Sequence, residues 1–239
     1  MGIENIVIQA RDVERTGRFW SDALGLIDNL ATADSYEGRL QILGGPWFDI
    51  CLEPVTDPPP PRWRLHLDLF SGADQDAVVD RLLALGATTV DIGQRDVPWV
   101  VLADPDGNAF CVMEERAAYC DTDPIAALPL DCVDPQREAQ LYAALTGWVP
   151  ADGIAPVTMR HPSLRGPLLE FCPEPAPKER QNRTHLDVRP EADGPDQAEL
   201  VALALSLGAT KAQEAWAHGH SWVVMRDLSG NEFCILADP

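Results

Sequence analysis

The sequence predicts an α+β fold of two tandem domains, each built from paired βαβββ modules, and three observations carry that prediction. Trp99 to Glu114, WVVLADPDGNAFCVME, returns 123 positions later as Trp222 to Ala237, WVVMRDLSGNEFCILA, in a chain of 239 residues. RLHLDL at Arg64 to Leu69 returns as RTHLDV at Arg183 to Val188, and DQDAVVDRLLALGAT at Asp74 to Thr88 as DQAELVALALSLGAT at Asp196 to Thr210. Within each copy, apolar spacing switches twice from strand-like to helical and back to three strands. The domains are therefore set at 1–117 and 126–239, separated by the polar segment Glu115 to Ile125.

The elements follow in order. Ile3 to Gln9 reads as a strand, after which Asp12 or Glu14 caps a helix over Val13 to Leu24. Its apolar face holds Val13, Phe19, Trp20, Ala23 and Leu24, and Gly25 stops it. Leu26 to Ala31, Arg39 to Leu43 and Trp47 to Glu53 follow as short strands between polar or Gly-Pro turns. Pro58 to Pro61 cannot join a sheet interior and is expected to be an extended connector. A strand at Arg64 to Phe70, a helix at Asp74 to Leu85 closed by Gly86 and a strand near Thr88 to Ile92 lead into the first hairpin. There Pro105 suits an early turn position and Gly107 supplies the positive φ of a bulged hairpin. The second domain repeats the pattern: strand Leu128 to Cys132, helix Pro135 to Leu145 before Gly147, and strands near Val149, Val157 to Arg160 and Leu168 to Cys172. After the connector Pro173 to Asn182 come a strand at Thr184 to Val188, a helix at Pro195 to Leu207 before Gly208, and the final hairpin.

Composition excludes several classes. Eighteen basic against 38 acidic residues give a net charge of −20. That charge opposes binding to a phosphate backbone or an anionic lipid surface, so neither nucleic acid nor membrane is expected as a partner. No apolar run approaches the roughly 20 residues of a membrane span. The segment MGIENIVIQARD lacks the basic and apolar regions of a signal peptide, so the protein is expected in the cytoplasm. Six scattered cysteines with no CxxC pair are expected to be free, small buried hydrophobes. GxGxxG, GxxxxGK[ST], GxSxG and HExxH are all missing, which removes the usual anchors of nucleotide binding, serine hydrolysis and zinc proteolysis.

Asp12, Phe19-Trp20 and Leu24-Gly25, then His66-Leu67-Asp68 and Asp104-Pro105-Asp106-Gly107-Asn108, form an ordered set that recurs as Asp134, Tyr142, Gly147-Trp148, His185-Leu186-Asp187 and Gly230-Asn231. In this the chain resembles the vicinal oxygen chelate superfamily of glyoxalases, bleomycin-resistance proteins and extradiol dioxygenases, as tandem glyoxalase-like domains. The resemblance implies a cupped mixed β-sheet per domain whose concave face binds a small molecule. It also implies where catalytic relatives place a divalent metal: on His or Glu ligands from the first strand, the fifth strand and the strand after the hairpin. Those positions here are Asn5, His66 and Cys111 in the first domain, and Ala127, His185 and Cys234 in the second. Only one of the usual ligands, a histidine, remains in each set, and the first set offers a hard cation one neutral amide, one imidazole and one thiol. No cofactor is expected; a divalent metal held by His66 and Cys111 is the alternative. Glu114 lies three residues past Cys111 and so faces the other side of its strand.

The residues expected to meet a ligand are Asn5, Gln9, Trp47, Arg64, His66, Trp99, Cys111, Arg183, His185 and Cys234. His66 with Asp68, and His185 with Asp187, are the candidate acid/base pairs, since residues two apart share a strand face. Arg64 and Arg183 extend each pair to Arg-x-His-x-Asp, a pattern that a structural ion pair would also produce. Trp47, Trp63, Trp148 and Trp216 have no aromatic counterpart in the other repeat and suit a cup mouth that stacks on a planar ligand, whereas the matched pairs Trp99/Trp222 and Trp20/Tyr142 suit core packing. The expected function is metal-free sequestration of an aromatic or amphiphilic compound, in the manner of bleomycin-resistance proteins. The alternative is a lyase, isomerase or dioxygenase using an atypical metal or a metal-free His/Asp pair. A third possibility makes one domain structural, the second being the better passenger because Ala127 and Pro129 lie on its first strand. Monomer and homodimer are both compatible with a tandem chain.

Overall fold

The computed structural model describes residues 2–58 and 62–238. Four βαβββ modules follow one another. The first has β1 (Gly2–Ala10), α1 (Val13–Leu24), β2 (Ile27–Ala31), β3 (Tyr36–Gln41) and β4 (Trp47–Pro54); the second has β5 (Asp68–Leu69), α2 (Gln75–Leu85), β6 (Thr88–Thr89), β7 (Val100–Ala103) and β8 (Ala109–Val112). The third has β9 (Ile125–Cys132), α3 (Pro135–Thr146), β10 (Val149–Pro150), β11 (Val157–Arg160) and β12 (Leu168–Pro173); the fourth has β13 (Thr184–Arg189), α4 (Gln197–Ser206), β14 (Thr210–Lys211), β15 (Val223–Arg226) and β16 (Glu232–Ile235).

Local chemistry sets the helix ends where the sequence places them. Asp12 caps α1 by accepting from the Arg15 amide at 3.0 Å, and Gly25 closes it at φ +68. Asp134 and Gly147 do the same for α3. In both hairpins a buried aspartate fixes the turn. Asp104 Oδ1 accepts the Asp106 and Asn108 amides, and Asp227 Oδ1 accepts those of Ser229 and Asn231. Gly107 (φ +91) and Gly230 (φ +82) take the left-handed conformation the turns require.

The α+β class and the two mixed sheets agree with the sequence, but the pairing of modules differs. One eight-stranded sheet runs β14-β15-β16-β13-β1-β4-β3-β2, and the other β10-β11-β12-β9-β5-β8-β7-β6. The first and fourth modules therefore share one sheet, the outer cup, and the second and third share the other, the inner cup. The expectation of one cup per sequence repeat is corrected: each sheet takes half its strands from each repeat. β1 joins β13 antiparallel, with Asn5 opposite Asp187, while β5 joins β9 with Asp68 opposite Ala127. α1 meets the hairpin of its own repeat, where Trp20 Nε1 donates to Asp104 Oδ2 at 3.1 Å, while Arg183 of the other repeat reaches the same hairpin at Asp106 Oδ2, 3.4 Å away.

Two further expectations change. The strand expected over Arg64 to Phe70 shrinks to Asp68–Leu69, with only an isolated bridge from Leu65 to Leu130, because the register against β9 slips between Asp68 and Leu69. Of the Pro58 to Pro61 connector, residues 59–61 lie outside the described residues. The faces away from the two cups meet in one core: Ile6, Ile8, Phe48 and Ile50 from one sheet cluster with Phe110, Leu128 and Phe171 from the other, around Trp20 and Tyr142. Among the described residues no helix is long and apolar enough to cross a membrane.

Candidate functional site

Each cup has one row of facing residues running across its floor. In the outer cup the row is Cys234, Asp187, Asn5, Asp49 and Arg39. In the inner cup it is Cys111, Asp68, Ala127, Leu168 and Arg160. His185 and His66 stand two residues from the aspartates and hence on the same faces. The six expected metal positions are thus regrouped. Asn5 sits with His185 and Cys234, and Ala127 with His66 and Cys111.

In the outer cup Asn5 Nδ2 donates to Asp187 Oδ2 at 2.9 Å, which turns the other carboxylate oxygen toward His185 Nε2 at 3.4 Å. Asp187 Oδ1 is buried and accepts no hydrogen bond. Burial works against a charged His185 ring, yet Cys234 and Asp187 outweigh it and hold the pKa well above the usual imidazole value. Burial pushes the Cys234 thiol up to about 11. In the inner cup His66 Nε2 lies 3.2 Å from Asp68 Oδ1. Its pKa is also raised, Asp68 prevailing over burial.

His185, Asp187 and Cys234 place one donor atom each within 4.8 Å of one another, as do His66, Asp68 and Cys111. Neither set fits the hard divalent cation that the superfamily resemblance implies. Each offers a single carboxylate, and in the outer cup that carboxylate is already shared between Asn5 and His185. A cation there would also have to expel protons from an imidazolium and from a thiol. The imidazolium and carboxylate balance one another without it.

The two cups part company above the floor. The outer cup opens into a cavity of about 1080 Å³ lined by Asn5, Gln9, Cys51, His185, Trp222 and Cys234 among others. His220 stacks on Trp222 with ring centroids 4.4 Å apart, and Trp216, 41% exposed, lines the same wall. The inner cup is filled by the connector between the repeats. Tyr119, 1% exposed, packs there with Cys111, Met113, Ala127, Leu168, Trp63 and Trp99. Arg160 holds the plug by donating to the carbonyls of Cys120 at 2.8 Å and Gly166 at 3.1 Å, and the Gly166 amide returns to Asp121 O at 2.9 Å.

Of the residues expected to meet a ligand, Asn5, Gln9, His185 and Cys234 line the open cavity. His66, Cys111 and Trp99 belong to the filled cup. Arg64 and Arg183 do not join the His-Asp pairs. Arg64 braces a connector by donating to Ala176 O, and Arg183 ties a connector, β1 and the first hairpin together through Asp57 O, Gln9 O at 2.9 Å and Asp106 Oδ2 at 3.4 Å. Trp47 stands outside the cavity lining under the Arg39 guanidinium, 3.8 Å from its ring centroid, while Arg39 grips Asp49 through two bonds of 2.8 and 2.6 Å. Trp148 is buried against Phe48, and Trp63 packs in the inner cup. Glu37, Glu53, His220 and Trp222 line the cavity without having been singled out for it. The repetition of Trp222 at Trp99 was the one available signal, and it was equally consistent with core packing.

Two βαβββ pairs, interleaved into two cups of which one is open, define a tandem cupped-sheet protein. The chain belongs to the glyoxalase-like domain family, whose profile matches residues 5–113 and again 127–236, and through it to the vicinal oxygen chelate superfamily. Glyoxalase I from Zea mays has a similar fold, with a TM-score of 0.66 at 14% identity over 99% of this chain and 92% of that one. A putative dioxygenase from Bacillus subtilis subsp. subtilis str. 168 matches with a TM-score of 0.59 at 16% identity over 100% and 86%. A search of curated protein sequences returned no match.

Proposed function

We propose that the protein binds and sequesters an aromatic or amphiphilic small molecule in the outer cup, as a metal-free relative of the bleomycin-resistance proteins, acting in the cytoplasm. The observation that carries this is the 1080 Å³ cavity, which joins a polar floor of His185, Asp187 and Asn5 to an indole wall at Trp216 and Trp222. Such a combination gives apolar contact area with a few polar anchors that fix orientation. Because each sheet is completed within one chain, the cup does not require a second copy. Tryptophan-fluorescence titration with a panel of planar antibiotics and aromatic metabolites tests this. Saturable quenching weakened by Trp222→Ala supports it, and flat titrations across the panel contradict it. Metal content by plasma mass spectrometry tests the metal-free part; near-stoichiometric zinc, iron, manganese or nickel that disappears in His185→Ala would overturn it.

A second reading, a lyase or isomerase moving a proton without metal, has one observation in its favour. Asn5 holds Asp187 so that its free oxygen faces His185, the arrangement that keeps an acid/base histidine oriented. Turnover of a carbonyl substrate by the metal-stripped protein, abolished by His185→Ala, would select it.

A further inference from the structure

Resting on the sequestration reading, we infer that the outer cup selects organic cations: ligands carrying an ammonium, guanidinium or quaternised ring nitrogen on a flat apolar body. Asp34, Glu37 and Glu53 line the cavity together with the buried Asp187. Asp34 and Glu53 make no ion pair or side-chain hydrogen bond among the described residues, and Glu37 has only the Asn29 amide at 3.1 Å. The basic groups lining the cavity are committed elsewhere. Arg11 faces Asp106 at 3.3 Å, His185 faces Asp187, and His220 covers one face of Trp222 with its Nε2 3.1 Å from Trp216 O. Glu232, the fifth lining acid, is neutralised by Lys178 at 2.6 Å, which shows that this fold supplies a cation where it needs one and has supplied none at Asp34, Glu37 and Glu53.

Two independent features point to a ligand rather than to a solvated acidic face. Asp187, 6% exposed, has at the cavity floor an oxygen whose approach to His185 Nε2 is long, 3.4 Å, and which has no closer donor. The opposite wall presents the Trp222 and Trp216 indoles, whose faces attract cations. Rim carboxylates that make no ion pair among the described residues, with indole faces beside them, favour positive charge. The net charge of −20 adds long-range attraction of the same sign.

The test uses three tricyclic probes of one shape and different charge, by calorimetry on the full chain at pH 8 and low salt: 10-methylacridinium, neutral acridine and acridine-9-carboxylate. The cation is expected to bind about tenfold more tightly than the anion, combining one cation–π contact with partly screened ion pairs. Glu37→Gln/Glu53→Gln, two rim substitutions checked for folding by circular dichroism, is expected to remove most of that preference, as is raising the salt concentration. Equal or tighter binding of the anion, or a preference unchanged in the double variant, overturns the charge inference while leaving sequestration standing. Failure of all three probes to bind overturns both.

Discussion

The outer and inner cups have the same floor and opposite fates. Both carry His, Asp and Cys at matching places in their rows, and in both the aspartate faces the histidine at 3.2 to 3.4 Å. The difference lies in the other half of each row. Where the outer cup has Asn5 and Asp49, the inner has Ala127 and Leu168. Where Arg39 is spent on Asp49, Arg160 is free to hold the connector that lowers Tyr119 into the cup. An apolar half-floor with a spare guanidinium accepts a piece of its own chain; a polar one with its guanidinium engaged stays open. The His-Asp-Cys cluster does not by itself decide which cup stays open.

This corrects the idea that one sequence repeat is the passenger. The filled cup is built from the second and third modules and thus from both repeats, so closure is a property of a sheet. The connector between the repeats is its occupant.

The sharpest way to break the contrast is to remove the plug. Tyr119→Ala is expected to cost about 3 kcal/mol, as for truncating a buried aromatic, read as a large fall in thermal or urea midpoint. A shift of less than about 1 kcal/mol would mean that the inner cup is not packed by this residue.

A second asymmetry lies between the helices behind the two cups, α1 behind the outer and α3 behind the inner. Glu138 on α3, fully buried, accepts from Ser229 Oγ at 2.5 Å close to Asp227; burial first, and then Asp227, raise its pKa to about 7. The matching position in α1 is Thr16. A carboxyl group whose folded pKa is raised binds its proton more tightly folded than unfolded. Its destabilising effect is therefore missing at low pH and grows as pH rises from about 4.5 through about 7. Glu138→Gln should stabilise the protein by about 2 kcal/mol at pH 8 and change little at pH 4. Equal effects at both pH values would contradict the assignment.

The shared floor makes a symmetric forecast. Asp187→Asn should lower the His185 pKa and Asp68→Asn that of His66, measured by NMR titration of the ring protons. Because both are raised in the folded state, each His-Asp pair contributes stability that is present below the ordinary imidazole value and lost as pH rises through the folded one. A histidine that does not respond would show that its carboxylate is not the partner. The smallest effect is expected at the open wall. Trp222→Ala should cost about 1 kcal/mol or less in stability, in contrast to Tyr119, while weakening ligand binding.

Much of the local fold is legible in the sequence, because helix caps such as Asp12 with Gly25 and the Asp-Gly-Asn turn act over a few residues. Module pairing is not. Two repeats of like pattern offer like strand edges, so local pattern does not say whether β1 will meet β5 or β13. The same gap hid part of the site. His185 and Asp187 are found from strand period alone and Cys234 from the hairpin resemblance, but Trp222 joins Glu37 and Glu53 at one cavity only once the first and fourth modules share a sheet. Arg64 and Arg183 misled because strand period gives a face and not a reach: long guanidinium arms run to Ala176 O, and to Asp57 O and Asp106, instead of the aspartate on their own strand.

Cys51 in β4 and Cys172 in β12 occupy matching places in the two sequence repeats, lie on the cup face of their strands and are both half-buried. Calorimetric stoichiometry with 10-methylacridinium, on the wild type and on Cys51→Trp and Cys172→Trp, tests most directly that only the outer cup binds. One site per chain is expected, lost when indole fills the outer cup at Cys51 and retained when it is placed at Cys172. Two sites in the wild type, or binding that survives Cys51→Trp and fails in Cys172→Trp, would contradict it.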